Sequence, residues 1–310
     1  MAGIAESDPV LEGSGIEEPV GPKVRRLFGL LERFAPAVGS RLAVEMWCTP
    51  PVMDASLKMP PGVAAGTPVE AHWDGHRLAG ASWGEGPPVY LVHGWGGCQA
   101  HLGIFIKPLV AAGHRVIAFD LPSHNDSEPG ALAPGRTTIV ECARAVKAFV
   151  ETHGPARAII GHSLGAKAAA LAMSQGTPVE RMVFLAPMGD FSLYLNTFAM
   201  RHGFGPRIRA GLHRRLDRRL GVPLFDTDIV AVAARTSNPP LLLVHDPDDP
   251  DSPYWASERI AELWPGAGLV TTRGLGRLAH YRLLRHRPAI DAALEFIGPA
   301  PGVNTSEFAR

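Results

Sequence analysis

The chain of 310 residues is long enough to bury a large core, either as one α/β domain or as two modest ones. Thirty lysines and arginines balance thirty aspartates and glutamates, so neither a broad basic surface for nucleic acid nor an acidic tail is expected. The three cysteines, Cys48, Cys98 and Cys142, fit neither a disulfide framework nor a zinc pattern; no stretch reaches the ~18–20 apolar residues of a transmembrane helix; and the acidic start lacks the basic and apolar regions of a signal peptide. A reducing cytoplasm is the expected location.

Residues 1–22, rich in Gly, Pro, Glu and Ser, read as a disordered tail, and residues 23–65 as a helical segment docked on the core. Within that segment Val24, Leu27, Phe28, Leu31 and Phe34 fall on one helical face, and Pro36 ends or kinks the helix. Next come two alternating runs, VEAHW and HRLAGASW, around Asp74-Gly75, the pattern of a β-hairpin. Six apolar runs follow, PVYLVHG, RVIAFDLP, ARAIIGHS, RMVFLAP, PLLLVHD and GLVTTRG, with helical patterns between most of them. Strands alternating with helices predict an α/β fold with a mainly parallel sheet covered on both faces. The core is expected over 66–187 and 239–298, with a C-terminal tail at 299–310.

The spacing breaks once, because the stretch between FLAP and PLLLVHD is too long for one crossover helix. Residues 188–238 therefore read as a small helical lid. One of its helices carries Ile208, Leu212, Leu216 and Leu220 every four residues, with Arg207, Arg209, Arg214, Arg215, Arg218 and Arg219 around the rest. The apolar stripe fits either ordinary packing or the roof of an acyl pocket. The arginines fit either solvent or an anionic group.

The pattern G-x-S-x-G occurs twice, at Gly161–Gly165 and at Gly80–Gly84, and with 34 glycines the pentapeptide alone is weak evidence. Context separates the two. A nucleophilic serine needs a sharp strand-to-helix turn that exposes its hydroxyl. Ser163 follows the apolar run ARAII and precedes AKAAALAM, dense in helix formers, whereas Ser82 lies in the hairpin and is followed by Gly84, Gly86, Pro87 and Pro88. Ser163 is the candidate nucleophile.

In open α/β sheets ligands bind at the carboxyl ends of the strands. The segments that end four of the runs are VHGWGG, GHSLG, HDPDDPDSP and GLGRLAH. In this order they resemble the α/β-hydrolase family, over about residues 66–298. The resemblance implies a serine hydrolase with a Ser-Asp-His order of catalytic groups. His93-Gly94-Trp95-Gly96-Gly97 is similar to the family's H-G-x-x-G loop, which makes the N–H groups of Trp95 and Leu164 the implied oxyanion donors. The family pattern H-G-x-x-D places the acid at Asp249, with Asp246 standing where a glycine is usual. A calcium loop is the rival reading of these aspartates, but Pro250 falls where a ligand is needed. The base is implied at His280, aligned from the following helix because Arg277 occupies the usual place after GLG; His286 is the competitor.

DLPSHNDSEPG is similar to the family's D-x-P-G-H-G-x-S loop, with Ser123 and Asn125 in place of two glycines, and His124 reads as structural there, as does His93. The implied activity is cleavage of a small acyl ester or thioester through an acyl-enzyme, with no metal or organic cofactor required. Acyl transfer and carbon–carbon bond hydrolysis use the same groups. A non-catalytic binding protein on the same fold is the alternative of another class. Oligomeric state is not legible.

Overall fold

The computed structural model describes residues 20–51, 58–235 and 237–302. It begins with two helices, α1 (Pro22–Phe34) and α2 (Pro36–Trp47), each with proline at a first-turn position, where the missing N–H costs nothing. Pro36 thus ends one helix by starting another. Phe28 of α1 is buried, but Leu27 and Phe34 are 49% and 71% exposed, so the docked stripe is narrower than the sequence period suggests.

A hairpin follows, β1 (Thr67–Trp73) and β2 (His76–Trp83), antiparallel around Asp74 and Gly75. Both turn residues have positive φ, 51° and 82°, as a two-residue primed turn requires. Strands and helices then alternate: β3 (Pro88–Val92), α3 (Ile106–Ala111), β4 (Arg115–Phe119), α4 (Ile139–His153), β5 (Ala158–His162), α5 (Leu164–Ser174) and β6 (Met182–Leu185). An insertion carries α6 (Phe191–His202), α7 (Pro206–Leu220) and the short α8 (Ile229–Ala233). The chain closes with β7 (Leu241–His245), α9 (Tyr254–Leu263), β8 (Ala267–Thr271), α10 (Ala279–Arg282) and α11 (Arg287–Ile297).

The eight strands form one sheet in the order β1-β2-β4-β3-β5-β6-β7-β8, antiparallel at β1–β2 and β2–β4 and parallel elsewhere. Residues of β5, β6 and β7 are buried throughout, which is why these strands read as continuous apolar runs. Successive side chains point to opposite faces. Tyr90, Ile117, Ile159 and Phe184 join one core with α4 and α5; Val89, Leu91, Val116 and Ile160 join the other with Ile106 and Ile290.

The insertion is fastened at two places. Glu32 of α1 accepts the Arg207 and Ile208 N–H groups at 2.9 Å each, so a carboxylate satisfies two orphan donors at the positive end of α7. Alongside, α2 and α7 approach closely, since a Cβ at Gly39 would lie 2.5 Å from Ile208 Cδ1 and one at Gly211 2.6 Å from Ser40 Cβ. At the other end the wholly buried Lys167 of α5 pairs with Asp228, just before α8. The same carboxylate oxygen accepts the Phe191 N–H at 3.0 Å, and the ammonium lies 4.4 Å from the Phe191 ring centre.

Candidate active site

The turn between β5 and α5 is as sharp as the strand-turn-helix pattern demands. Ser163 has φ 51° and ψ −116°, a backbone that side-chain-bearing residues adopt only when their surroundings impose it. Its amide donates to Leu185 O at 3.0 Å, which pins the turn to β6. The two flanking glycines are steric necessities: a Cβ at Gly165 would lie 2.2 Å from Val92 O, and one at Gly161 2.6 Å from Ala166 Cα. Ser82, by contrast, sits within β2, where its hydroxyl accepts from Arg115 Nε at 2.9 Å.

Asp249 lies in the loop after β7 and is 8% exposed. All four acceptor positions of its carboxylate are occupied. Oδ2 accepts from His280 Nδ1 at 2.8 Å and from His245 Nε2 at 3.3 Å, while Oδ1 accepts the Asp251 and Ser252 amides at 2.8 and 3.0 Å. A cation held by Asp249, Asp251 and His280 would have to displace these donors, so the group fits an orienting carboxylate and not a metal centre. The neighbouring Asp246 is similarly engaged, accepting from the Asp248 amide at 2.9 Å and from Thr272 Oγ1 at 3.1 Å.

Burial alone would raise the Asp249 pKa, but the His280 charge and the hydrogen bonds from both histidines outweigh it and hold the carboxyl well below its ordinary range. Burial would likewise lower the His280 pKa, and the Asp249 charge and hydrogen bond turn that into a net rise. His245 escapes a reading of the sequence. Its place depends on Ser257 of α9, whose hydroxyl meets His245 Nδ1 at 2.7 Å and leaves Nε2 to donate to Asp249. His162 is a second such residue: its Nε2 donates to the His280 carbonyl at 3.1 Å, tying the strand end before Ser163 to the segment bearing His280. His286 is half-buried at the start of α11, away from this cluster.

The loop after β3 is braced by two neutral histidines. His93 Nε2 accepts the Leu121 amide at 3.0 Å while its Nδ1 donates to Gly94 O at 2.7 Å, and His124 Nε2 accepts the Gly96 amide at 3.0 Å. Burial lowers both pKa values, that of His124 to about 4. The Trp95 amide is thereby held in place with no protein acceptor among the described residues, as is the Leu164 amide in the first turn of α5. Ser123 and Asn125 carry φ of 61° and 41°, and their side chains secure that strain by bonding Arg136 O at 2.6 Å and Asp120 Oδ2 at 3.1 Å.

Ser163, His280, Trp95 and Leu164 all line one cavity of about 220 Å³. Much of the rest of its wall is apolar and comes from α2, α6 and α7, among them Met46, Trp47, Phe191, Phe198, Leu216 and Leu220, with His101, Thr137 and Tyr281 from other segments. Trp47 stands edge-on to Phe191 and Phe198, with ring centres 5.2 Å apart in both pairs. Only the lower half of the α7 stripe reaches this space, while Ile208 meets Gly39 of α2.

A strained serine between strand and helix, a carboxylate–imidazole pair and two unpartnered amides share one cavity at the carboxyl end of a parallel sheet. The sequence pattern of the alpha/beta hydrolase family matches residues 89–293, and the chain belongs to that family. It is 34% identical over 119 residues to the dihydrolipoyllysine-residue acetyltransferase component of the acetoin cleaving system of Cupriavidus necator, covering 37% of this chain and 31% of that protein. It is 29% identical over 149 residues to 2-hydroxy-6-oxononadienedioate/2-hydroxy-6-oxononatrienedioate hydrolase 1 of Dechloromonas aromatica, covering 45% of this chain and 50% of that protein. The chain thus spans half or less of the length of these curated relatives. Among solved structures, an esterase from Exiguobacterium antarcticum superposes with a TM-score of 0.56 at 15% identity, over 75% of this chain and 99% of that one.

Proposed function

We propose that the protein hydrolyses a carboxylic ester or thioester through an acyl-enzyme intermediate. Ser163 Oγ attacks the carbonyl carbon as His280 Nε2 takes its proton, and Asp249 fixes the imidazole tautomer and stabilises the imidazolium. The Trp95 and Leu164 amides receive the oxyanion. Each such donor is worth roughly 2.7–4 kcal/mol of transition-state stabilisation. Collapse of the tetrahedral intermediate expels the alcohol or thiol, protonated by His280, and water then repeats the sequence to release the acid.

The observation that carries this reading is the 2.8 Å contact between Asp249 and His280, in a cavity that Ser163 also lines. A fluorophosphonate probe should label wild-type protein at Ser163 alone, as mapped by peptide mass spectrometry. Ser163→Ala should abolish both labelling and turnover of p-nitrophenyl esters. Labelling that survives this substitution at full strength sinks the assignment, and a wild-type protein that takes no probe points to a binding protein instead.

The named activities of the two curated relatives support a second use of the same groups, transfer of the acyl unit or cleavage of a carbon–carbon bond. A thiol or alcohol acceptor that diverts the acyl group from water in a product assay would favour transfer.

A further inference from the structure

The helix pair α2 and α7 has a second cavity, lined by Arg41, Val44, Glu45, Arg215, Arg218 and Arg219, of about 320 Å³. Among the described residues, four arginines thus line one space with a single carboxylate. That carboxylate is already committed, since Glu45 pairs with Arg136 from the loop before α4 and with Arg219 at 3.6 Å. Arg215 is held in place by Ser40 Oγ, at 2.9 Å from its Nε. Burial, then repulsion from Arg41, Arg218, Arg214 and Arg219, lowers the Arg215 pKa. Among the described residues the positive charges lining this space outnumber the one carboxylate, and such an excess is a destabilising arrangement unless an anion offsets it.

We infer that the cavity between α2 and α7 is a binding site for a phosphate-class dianion. Guanidinium forks match phosphate oxygens two at a time, and several forks around one space provide more donors than a carboxylate could use. The cavity adjoins the catalytic one. Leu216 and Leu220 of α7 line the catalytic cavity while Arg215, Arg218 and Arg219 line the other, so neighbouring residues of one helix face both spaces. The anion therefore comes from one of two sources: a phosphorylated part of the acyl substrate, which presumes the hydrolase reading above, or a free phosphate ion that steadies α7, which does not.

The test begins with binding, independent of turnover. Full-length Ser163→Ala protein is titrated calorimetrically with inorganic phosphate and with pyrophosphate at low ionic strength, alongside the same protein carrying Arg41→Ala and Arg218→Ala. Arg41 and Arg218 are both exposed at the rim of this space, and among the described residues Arg218 bonds only within its own helix, to Arg214 O, so the fold has little stake in either. Saturable binding that weakens by about tenfold or more in the double variant, and that added salt also weakens, is the expected result. No saturable binding, or binding indifferent to the two substitutions, overturns the site. Should the double variant lose its folded circular dichroism spectrum, Arg218→Gln alone serves: weaker phosphate binding supports the site, and unchanged binding overturns it.

The sources separate in the active enzyme. If the anion belongs to the substrate, KM should rise at least tenfold more for an acyl thioester of coenzyme A than for the p-nitrophenyl ester of the same acyl chain when Arg41 and Arg218 are replaced, and phosphate should compete with the thioester. If it is a free ion, phosphate should alter both substrates alike and compete with neither. An enzyme that fails on every ester overturns the hydrolase reading and leaves the calorimetric result standing.

Discussion

Asp249 shows how much of a buried carboxylate's behaviour is settled by a few neighbours. With two imidazole N–H groups on Oδ2 and two amides on Oδ1, its charged form is favoured over the cost of burial. The shifts of Asp249 and His280 have opposite signs and opposite pH windows. His280, raised above 6.5, contributes stability that is fully present below 6.5 and is lost as pH rises through its folded value. Asp249, depressed below 3.8, contributes stability present above 3.8 and lost as pH falls through its folded value. With His280 as the base of the proposed mechanism, which works only when neutral, kcat/KM for a p-nitrophenyl ester should climb along a limb centred above pH 6.5. Melting temperature should decline along the same limb. Asp249→Asn should lower kcat by about 10⁴, through loss of the correct tautomer, while the protein stays folded. A limb centred below 6.5, or an Asn variant of ordinary activity, would contradict this account. Ser163 was singled out in the sequence by its strand-turn-helix context, and Asp249 and His280 by their resemblance to the family's patterns, His280 being aligned from the helix that follows it; the structure brings the last two into contact. His245 and His162 were not singled out, because their roles depend on how separate elements pack: Ser257 lies on the next helix and the His280 carbonyl 118 residues further along the chain.

Among the elements, α7 divides its labour along its length. Its period-four apolar stripe is plain in the sequence, yet what each turn meets depends on α1 and α2, whose packing no local pattern specifies. Ile208 lies against Gly39, while Leu216 and Leu220 reach the cavity that Ser163 lines. The arginines divide too: Arg207 bonds Glu32 O at 3.1 Å and Arg215 bonds Ser40, so neither is simply a solvated charge. Leu216→Ser should therefore raise KM for medium-chain esters more than for acetate esters, since it places a hydroxyl on an apolar wall that only a longer chain would touch. A lower melting temperature with KM unchanged for both chain lengths would assign Leu216 to packing alone. The hairpin and the parallel strands were read in place from the sequence, because alternation and buried apolar runs are local signals.

Across the whole molecule, the insertion and the sheet are joined by the pair of Lys167 and Asp228. Breaking a buried pair from one side leaves a charge without a partner, so Asp228→Ala should cost about 3–5 kcal/mol in a denaturant titration. Replacing both partners, Lys167→Met with Asp228→Leu, should recover most of that loss, because two apolar groups of similar size need no compensation. A double variant no more stable than Asp228→Ala would show that the ion pair is not the source of the effect. Lys167 lies in the first turns of the helix that opens at Ser163, and Asp228 also receives the amide that begins α6. The segment between β6 and β7 is therefore not an interchangeable part. A chimera that imports another hydrolase's insertion, in order to borrow its substrate preference, would strand an ammonium in the helix that opens at Ser163 unless position 167 were changed with it, so specificity here can be inherited or engineered only together with a residue of that helix.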